Sequence, residues 1–484
     1  MPALFTVLLS LLLGAALALC GLPQPWSALT PLPLAAVLYW IAGGPRPRQV
    51  AGRAFWTMSA YFAVQLWWLA RFAADLSGLG TGGELLMIPL YLIEGGFWAV
   101  MAALCVWRLR DRLARVLALA GGWVVLEWLR TLGPLAFPWS GMGYTLLPSP
   151  LVQTADLWGA LGLSVLVSAT AAAVVAMLYR RWRLPLGMAL IWLLGLGYGL
   201  SRMPAAGPQQ RALLVRTNFD SFGKASGSVG PEEQMQRLLQ LSSARQPGEL
   251  TIWSETAVSD PSLLPLTPAP GIYGVRDRNQ NTVQTWNGLS QGPVIYQKLK
   301  PVPFGEYYLF AGTEQRPGPL RPIYLQIFRL LNLGFANELS GGVTSPLEIE
   351  GGRYGAYVCY DSIFSWVTRQ LARNGAEVLV NVSNDGWYRG WGVVQHFQMG
   401  RVRAIETRRW MLRSVNAGIV AVVDDLGHTR QQLSAGEGVL HARYPLLEGQ
   451  TVYVRLGDAP ALILALLLFL PAIRAERRAR WQRL

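Results

Sequence analysis

The chain has 484 residues, 52% of them hydrophobic and only 14% charged, with a formal net charge of +14; it is more apolar and less charged than an ordinary soluble protein. Its basic residues stand in short clusters between apolar runs, the pattern of loops between membrane spans, which argues against a nucleic-acid partner. Three cysteines (Cys20, Cys105, Cys359) and three histidines (His396, His428, His441) are too few and too scattered for a disulfide framework or a metal cluster, so neither metal nor cofactor is expected.

Residues 3–22 form an apolar run long enough to cross a bilayer, which takes about 20 residues. With no basic segment before it and further runs after it, it reads as a span, not a cleaved signal. A second run, 29–43, is short and contains Pro31 and Pro33. Further runs follow at 54–72, 85–107, 116–132, 161–179 and 184–200, and the eighth covers 459–473. Arginine clusters follow the second, fourth, sixth and eighth runs: Arg46, Arg48 and Arg53; Arg108, Arg110, Arg112 and Arg115; Arg180, Arg181 and Arg183; and the arginines of RAERRARWQR. The positive-inside rule then puts both termini in the cytoplasm and the long polar region between the seventh and eighth spans outside. The chain thus divides into a membrane domain (1–207), an outer domain (208–457) and an eighth span with a basic tail (458–484).

The outer region is the size of one large α/β domain. Strand-like runs stand at 212–215, 250–253, 294–297, 354–360, 378–382, 411–415, 419–423 and 451–456. Helical patterns lie at 231–245, 363–374 and 394–409, the last with Phe397, Met399, Val402 and Ile405 inward and Arg401, Arg403, Arg408 and Arg409 outward. Strands alternating with helices predict layered sheet flanked by helices.

Three stretches carry chemistry. In YGAYVCYDSIF an apolar strand delivers Cys359 to the point where a helix is expected to open, a position where a helix dipole lowers a thiol pKa; a buried, inert thiol is the alternative. In ELTIWSETAVSD, Glu255 follows Trp253 and Ser254 at a strand end, where a carboxylate pKa rises and the group can act as a general base. In VIYQKLKPVPFGEYYLF, Lys298 and Lys300 precede Gly305 and Glu306, and a lysine can stabilise a developing oxyanion. Each signal alone is equally compatible with a loop carboxylate or a solvated basic turn.

Together, Glu255, the K-x-x-x-V-P-F-G-E of 298–306 and the V-C-Y-D of 358–361 resemble the Glu-Lys-Cys triad of the nitrilase superfamily. The layout of seven spans, an outer domain and a final span resembles the apolipoprotein N-acyltransferase family. The resemblance covers nearly the whole chain, including EWLR at 127–130, FPWSGMGY at 137–144, WNGLS at 286–290, NVSNDGWY at 381–388, QHFQMGRVRAIETRR at 395–409 and RSVNAG at 413–418. It implies an α/β nitrilase-like αββα sandwich inserted in an eight-helix transmembrane domain. It further implies Cys359 as nucleophile, Glu255 as general base, Lys298 as the oxyanion-stabilising lysine, Glu306 as a second carboxylate, and supporting places for Tyr360 and Asp361. Lys298 is preferred to Lys300 because its distance to the Glu of PFGE matches the family's. Ser254 where the family usually has Pro, Asp361 where it usually has Glu, VRTNFD at 215–220 where it tends to have a Gln before the Asn, and a missing tryptophan at 223–228 are departures that touch the surroundings of the triad.

The implied reaction moves the sn-1 acyl chain of a phospholipid, phosphatidylethanolamine being the expected donor, through a Cys359 thioester to the α-amine of an N-terminal diacylglyceryl-cysteine on an apolipoprotein. The setting is the bacterial cytoplasmic (inner) membrane, with the catalytic domain outside. Residues 322–334 have Ile323, Ile327, Leu330, Leu331 and Gly334 at helical spacing and read as an arm dipping into the outer leaflet, or as a helix packed on its own domain. Tyr307, Tyr308 and Phe310 are candidates for the acyl entrance, and Arg130 and Trp139 for the lipid headgroup, each with a structural role as the alternative. Glu94, inside a span, is expected to point inward. A membrane-tethered amidase or phospholipase with the same residues, and a catalytically silent lipid-binding factor, are the competing readings.

Overall fold

The computed structural model describes residues 2–21, 24–278, 280–289, 295–314, 316–330, 335, 337, 341–342, 344–388 and 390–481. The chain forms two compact units, one of Met1–Leu132, Pro138–Arg202 and Leu456–Leu484, the other of Gly133–Phe137 and Met203–Arg455.

Among the described residues the first unit opens with the α-helices α1 (Pro2–Leu19), α2 (Pro31–Ala42), α3 (Pro47–Gln65), α4 (Trp67–Ser77), α5 (Ile88–Val106), α6 (Arg112–Leu129), α7 (Ala155–Leu178) and α8 (Arg183–Leu200). Pro31 does not interrupt the second apolar run but starts its helix, where a missing N–H costs nothing. The run at 54–72 is not one helix: it breaks at Leu66, between α3 and α4. Asp111 caps α6, its Oδ1 accepting from the Ala114 amide at 2.8 Å. Most of α6 is buried, and its small residues set the distance to its neighbours. A Cβ on Gly121 would lie 2.7 Å from the Ala465 carbonyl, and one on Gly122 only 2.4 Å from Cys105 Sγ, the close approach that small residues permit between apolar helices. In α7, Gly159 takes φ 72°, a conformation that leaves little choice but glycine at the kink.

Glu94 of α5 points inward, as expected. Its carboxylate meets the Arg130 guanidinium at two places, each at 3.1 Å, with both side chains buried. Among the described residues, four helical stretches are long and apolar enough to cross a membrane, Gly80–Val106, Pro150–Leu178, Arg183–Leu200 and Ala459–Arg477, and Ala3–Leu19 and Ser27–Ala42 are shorter apolar helices.

Among the described residues the second unit holds two six-stranded sheets. The first contains β1 (Gln209–Arg216), β2 (Glu249–Val258), β3 (Gly271–Asp277), β4 (Gln280–Trp286) and β5 (Ile295–Gln297). The second contains β6 (Leu347–Ile349), β7 (Gly352–Val358), β8 (Val378–Asn384), β9 (Met411–Asn416), β10 (Val420–Val423) and β11 (Thr429–Leu433). The last strand, β12 (Gly438–Pro445), returns to the first sheet. The orders are β12-β1-β2-β3-β4-β5 and β11-β10-β9-β8-β7-β6. In each, three central strands run parallel (β1, β2, β3 and β7, β8, β9) and the outer ones antiparallel. The sheets pack face to face through β1 and β2 against β8 and β9. The central strands, covered on both sides, read as near-continuous apolar runs.

Helices cover the outer faces, completing the expected αββα sandwich. After the short α9 (Ser221–Ser226), α10 (Pro231–Ser242) lies on the first sheet, where Met235 and Leu238 pack with Leu213, Val215, Trp253 and Tyr273. The Trp253 indole N–H, which burial would otherwise orphan, donates to Ser242 Oγ at 2.9 Å. Beyond α11 (Arg321–Leu330), α12 (Ser365–Arg373) packs on β7 and α13 (Trp391–Thr407) packs on α12. Two arginines predicted to face outward do not, Arg403 on α13 and Arg409 just beyond its end. Arg403 is fully buried against Glu406 at 3.1 Å. Arg409 is buried with its N–H groups donating to the Ala376, Glu448 and Gly449 carbonyls; a guanidinium has donors enough to make a carbonyl-rich pocket habitable.

Residues 451–456, predicted as a strand, instead form α14 (Val452–Leu456). Thr451 caps it, accepting from the Val454 amide at 3.0 Å, and this local bond outweighs the β-branched pattern. The first unit then resumes with α15 (Ala459–Leu467) and α16 (Phe469–Trp481).

Candidate active site

Three strand ends and one loop converge at the carboxyl edge of the parallel strands, the usual place for a site in such sheets. Cys359 follows directly on β7. It sits at φ 45°, a left-handed conformation that a non-glycine residue holds only when its surroundings impose it, at a cost of about 1–3 kcal/mol. Those surroundings are visible. Asp361 reaches back to accept from the Val358 amide at 3.2 Å, and takes the Lys300 amide at 2.8 Å and the Tyr296 hydroxyl at 2.9 Å. The Cys359 carbonyl meets His396 Nε2 at 3.1 Å. The next side chain, Tyr360, is anchored by its hydroxyl to the Ala136 carbonyl at 2.9 Å.

Glu255 lies within β2 where the register with β3 shifts between Trp253 and Val258, and Thr256 beside it takes φ 48°. Such a bulge re-aims a side chain that a regular strand would bury in the sheet face. One Glu255 oxygen, Oε2, accepts the Asn384 amide from the end of β8 at 2.9 Å. The other, Oε1, meets Lys298 Nζ at 3.1 Å and Asn281 Nδ2 at 3.1 Å. The same two donors reach Glu306 Oε1, at 2.7 and 3.0 Å. Glu306 Oε2 is held by the Val302 amide at 2.8 Å. A single ammonium therefore bridges two carboxylates, and Asn281 braces both.

Burial raises the pKa of Glu255, Lys298 opposes that rise and Glu306 reinforces it. A carboxylate so placed accepts a proton readily. The Cys359 thiol is also pushed up, first by burial and then by Glu255. This reverses the expected lowering by a helix dipole, for a physical reason: only a short 3-10 turn, Cys359–Ile363, follows the thiol, and α12 begins at Ser365. The thiol is thus neutral at rest, with the Glu255 carboxylate close enough to disfavour its ionisation. Asp361 is raised to about 6 by burial, against the pull of Lys298 and its own donors.

Of the two lysines, Lys298 is the one in the cluster. Lys300 points away, its Nζ donating to the Gly133 carbonyl at 3.1 Å and lying over the Phe364 and Trp366 rings. The aromatic candidates separate. Phe310 is 61% exposed, and Phe304, which had drawn no attention, equally so, while Tyr308 is buried against Tyr324, Phe328 and Phe335 rather than exposed. Tyr307 is partly buried. On α11, Ile323 and Leu330 are 54% and 80% exposed; Leu331 and Gly334 lie outside the described residues. Arg130 and Trp139 belong to the first unit, where both are buried, Arg130 on Glu94 and Trp139 against Trp68.

Several site residues were not singled out from the sequence. Asn281 sits on β4, and the hairpin that carries it was not predicted because DRNQN breaks the strand pattern. Asp385, Tyr388 and His396 lay within quoted motifs without a role. His396 Nδ1 meets Asp385 Oδ1 at 2.9 Å, and Arg413 Nη2 donates to Asp385 Oδ2 at 2.6 Å. Although burial pushes Asp385 up, Arg413 and His396 hold its carboxyl well below the usual range. Lys224 donates to the Thr256 carbonyl at 3.3 Å, and burial lowers its pKa to about 8 while Glu255 opposes. Among the described residues no group of His, Cys, Asp and Glu is arranged to hold a metal.

Two family models match the chain: the apolipoprotein N-acyltransferase N-terminal domain over residues 13–173 and carbon-nitrogen hydrolase over 230–446. The apolipoprotein N-acyltransferase of Azotobacter vinelandii is 30% identical, covering 98% of this chain and 96% of that protein. The one from Bradyrhizobium diazoefficiens is 31% identical, covering 90% and 89%. Among solved structures, a carbon-nitrogen hydrolase from Helicobacter pylori G27 aligns with 49% of this chain and 90% of that one, at 15% identity and a TM-score of 0.34. The second model spans every residue of the carboxylate, lysine and thiol cluster, and the full-length relatives share both units: the chain belongs to the apolipoprotein N-acyltransferase family.

Proposed function

We propose that this chain transfers the sn-1 acyl chain of a phospholipid, phosphatidylethanolamine first among the candidates, to the α-amine of an N-terminal diacylglyceryl-cysteine on an apolipoprotein. The observation that carries the mechanism is the ion-paired group of Glu255, Lys298 and Glu306, with the buried Cys359 thiol within its electrostatic reach. Glu255 takes the thiol proton as Cys359 attacks the ester carbonyl. Lys298, with the backbone amide that follows Cys359, stabilises the oxyanion. Collapse breaks the ester C–O bond, the proton passes from Glu255 to the departing lysophospholipid alkoxide, and a thioester remains. The amine then attacks that thioester, gives a proton to Glu255 and expels the Cys359 thiolate, which is reprotonated. Glu306 holds Lys298 in place through both steps.

The membrane arrangement that goes with this reading has eight spans, both termini cytoplasmic and residues 208–457 outside, with 1–207 and 458–484 forming the membrane domain. The arginine clusters after alternate apolar runs support it, as do the four helices of sufficient length and apolarity. Phe304, Phe310 and the exposed side of α11 are the apolar groups we assign to acyl-chain and leaflet contact, with Tyr307 beside them.

The test is intact mass spectrometry of the purified protein after incubation with phosphatidylethanolamine, wild type beside Cys359→Ala. The expected result is an acyl adduct in wild type alone, removed by hydroxylamine and discharged onto a diacylated lipopeptide. An adduct lost to water and never to peptide would make the chain a hydrolase, and no adduct on folded protein would make it a silent scaffold.

A further inference from the structure

Tyr388, from the turn after β8, brings its hydroxyl to 3.8 Å from Cys359 Sγ, within reach of a hydrogen bond involving sulfur. Its ring is fixed edge-on to His396, with centroids 5.0 Å apart, and His396 in turn meets the Cys359 carbonyl at 3.1 Å. The same histidine therefore steadies both the nucleophile's backbone and the ring that approaches its sulfur. Either atom of the Tyr388–Cys359 pair can in principle donate. Once Glu255 has taken the single thiol proton, however, sulfur can only accept, which leaves Tyr388 as the donor.

We propose that Tyr388 is a further catalytic residue, acting on sulfur as Lys298 acts on oxygen: its O–H donates to Cys359 Sγ as the thiolate forms before attack and again as the thiolate is expelled from the thioester. The inference rests on the acyl-transfer reading for its second half only. Neutral thiol sulfur is a weak acceptor and thiolate a strong one, so the bond is worth most where negative charge develops, the condition for accelerating a step and not merely binding. The phenol keeps its proton throughout. Burial, with Cys359 and Asp385 nearby, holds its pKa well above the usual tyrosine value, so it donates without ionising. The need is real at this site, because burial and Glu255 make thiolate formation costly, and Lys298 is already shared between Glu255 and Glu306.

The experiment compares wild type, Tyr388→Phe and Tyr357→Phe in the detergent-solubilised full chain, by the rate of iodoacetamide alkylation at Cys359, mapped by peptide mass, and the rate of acyl-adduct formation from phosphatidylethanolamine. Tyr357 is the control: a buried tyrosine two residues before Cys359 whose hydroxyl donates to Met411 Sδ at 3.1 Å. Loss of a hydrogen bond to a charged partner predicts alkylation and acylation both slower by about tenfold or more in Tyr388→Phe, with Tyr357→Phe unchanged. Rates in Tyr388→Phe within twofold of wild type, or equal slowing in both variants, would overturn the proposal. If Tyr388→Phe melts early, 3-fluorotyrosine placed at 388 keeps ring and hydroxyl with a more acidic proton; its alkylation should be at least as fast as wild type, and slower alkylation overturns the assignment. If wild type alkylates but never acylates, the acyl-transfer reading falls by itself, while the alkylation rates still decide the role of Tyr388.

Discussion

The Nζ of Lys298 lies 2.7 Å from Oε1 of Glu306 and 3.1 Å from Oε1 of Glu255, so the cation is held by one carboxylate while it serves beside the other. Glu306→Gln keeps the shape and removes the charge. Acyl-adduct formation should slow by about 10- to 100-fold, the value of a hydrogen bond to a charged group, with little change in the phospholipid concentration needed for half-maximal rate. Lys298→Met should cost about a hundredfold or more in the same assay, and lysophospholipid release followed in a single turnover separates the two variants.

Asp361 sets a pH window on stability. Its folded-state pKa is raised by burial to about 6 from an ordinary value of 3.8, so the folded chain binds the proton more tightly than the unfolded one. The contribution is therefore fully present below about pH 4 and is lost as pH rises through about 6. Over that window wild type should lose about 3 kcal/mol relative to Asp361→Asn, measured as the change in the difference between their denaturation free energies at the two ends. A difference that is flat with pH would contradict the assignment.

The positive φ of Cys359 makes a second stability prediction. Glycine accepts φ 45° without penalty, so Cys359→Gly should unfold at a higher temperature than Cys359→Ala, by the equivalent of about 1 kcal/mol. Neither variant should form an acyl adduct.

In the first unit, Glu94 and Arg130 form a buried, hydrogen-bonded ion pair. Removing one partner strands the other charge, so Glu94→Leu and Arg130→Met should each destabilise by about 3–5 kcal/mol. The double variant should recover most of the loss, giving a coupling energy well above that of an exposed pair. Denaturation of the four proteins in one detergent completes the cycle.

Much of this architecture was legible in advance, for different reasons in different places. The apolar runs of the first unit show their helices directly, because length and hydrophobicity are properties of a segment. Glu255 and Lys298 stood out at the ends of apolar runs and Glu306 came with the family resemblance; the three share one hydrogen-bonded group. The misses share a cause. Asn281 lies on a hairpin with a polar, irregular turn, and Arg403 looked like a surface residue until Glu406 and the packing of α13 on α12 gave it a buried partner. Residues 451–456 carried a strand pattern, yet Thr451 capped them into a helix.

By itself the sequence determined which segments are apolar, where the arginine clusters interrupt them, and which chemical groups stand at strand ends, since these depend only on local composition and period. Only the tertiary structure decided that Asn281 braces both carboxylates, that the Cys359 thiol is raised and not lowered, and that Tyr388 and His396 stand beside the nucleophile. Those outcomes depend on desolvation and on distances between segments far apart in the chain, and neither is encoded in any one stretch of it.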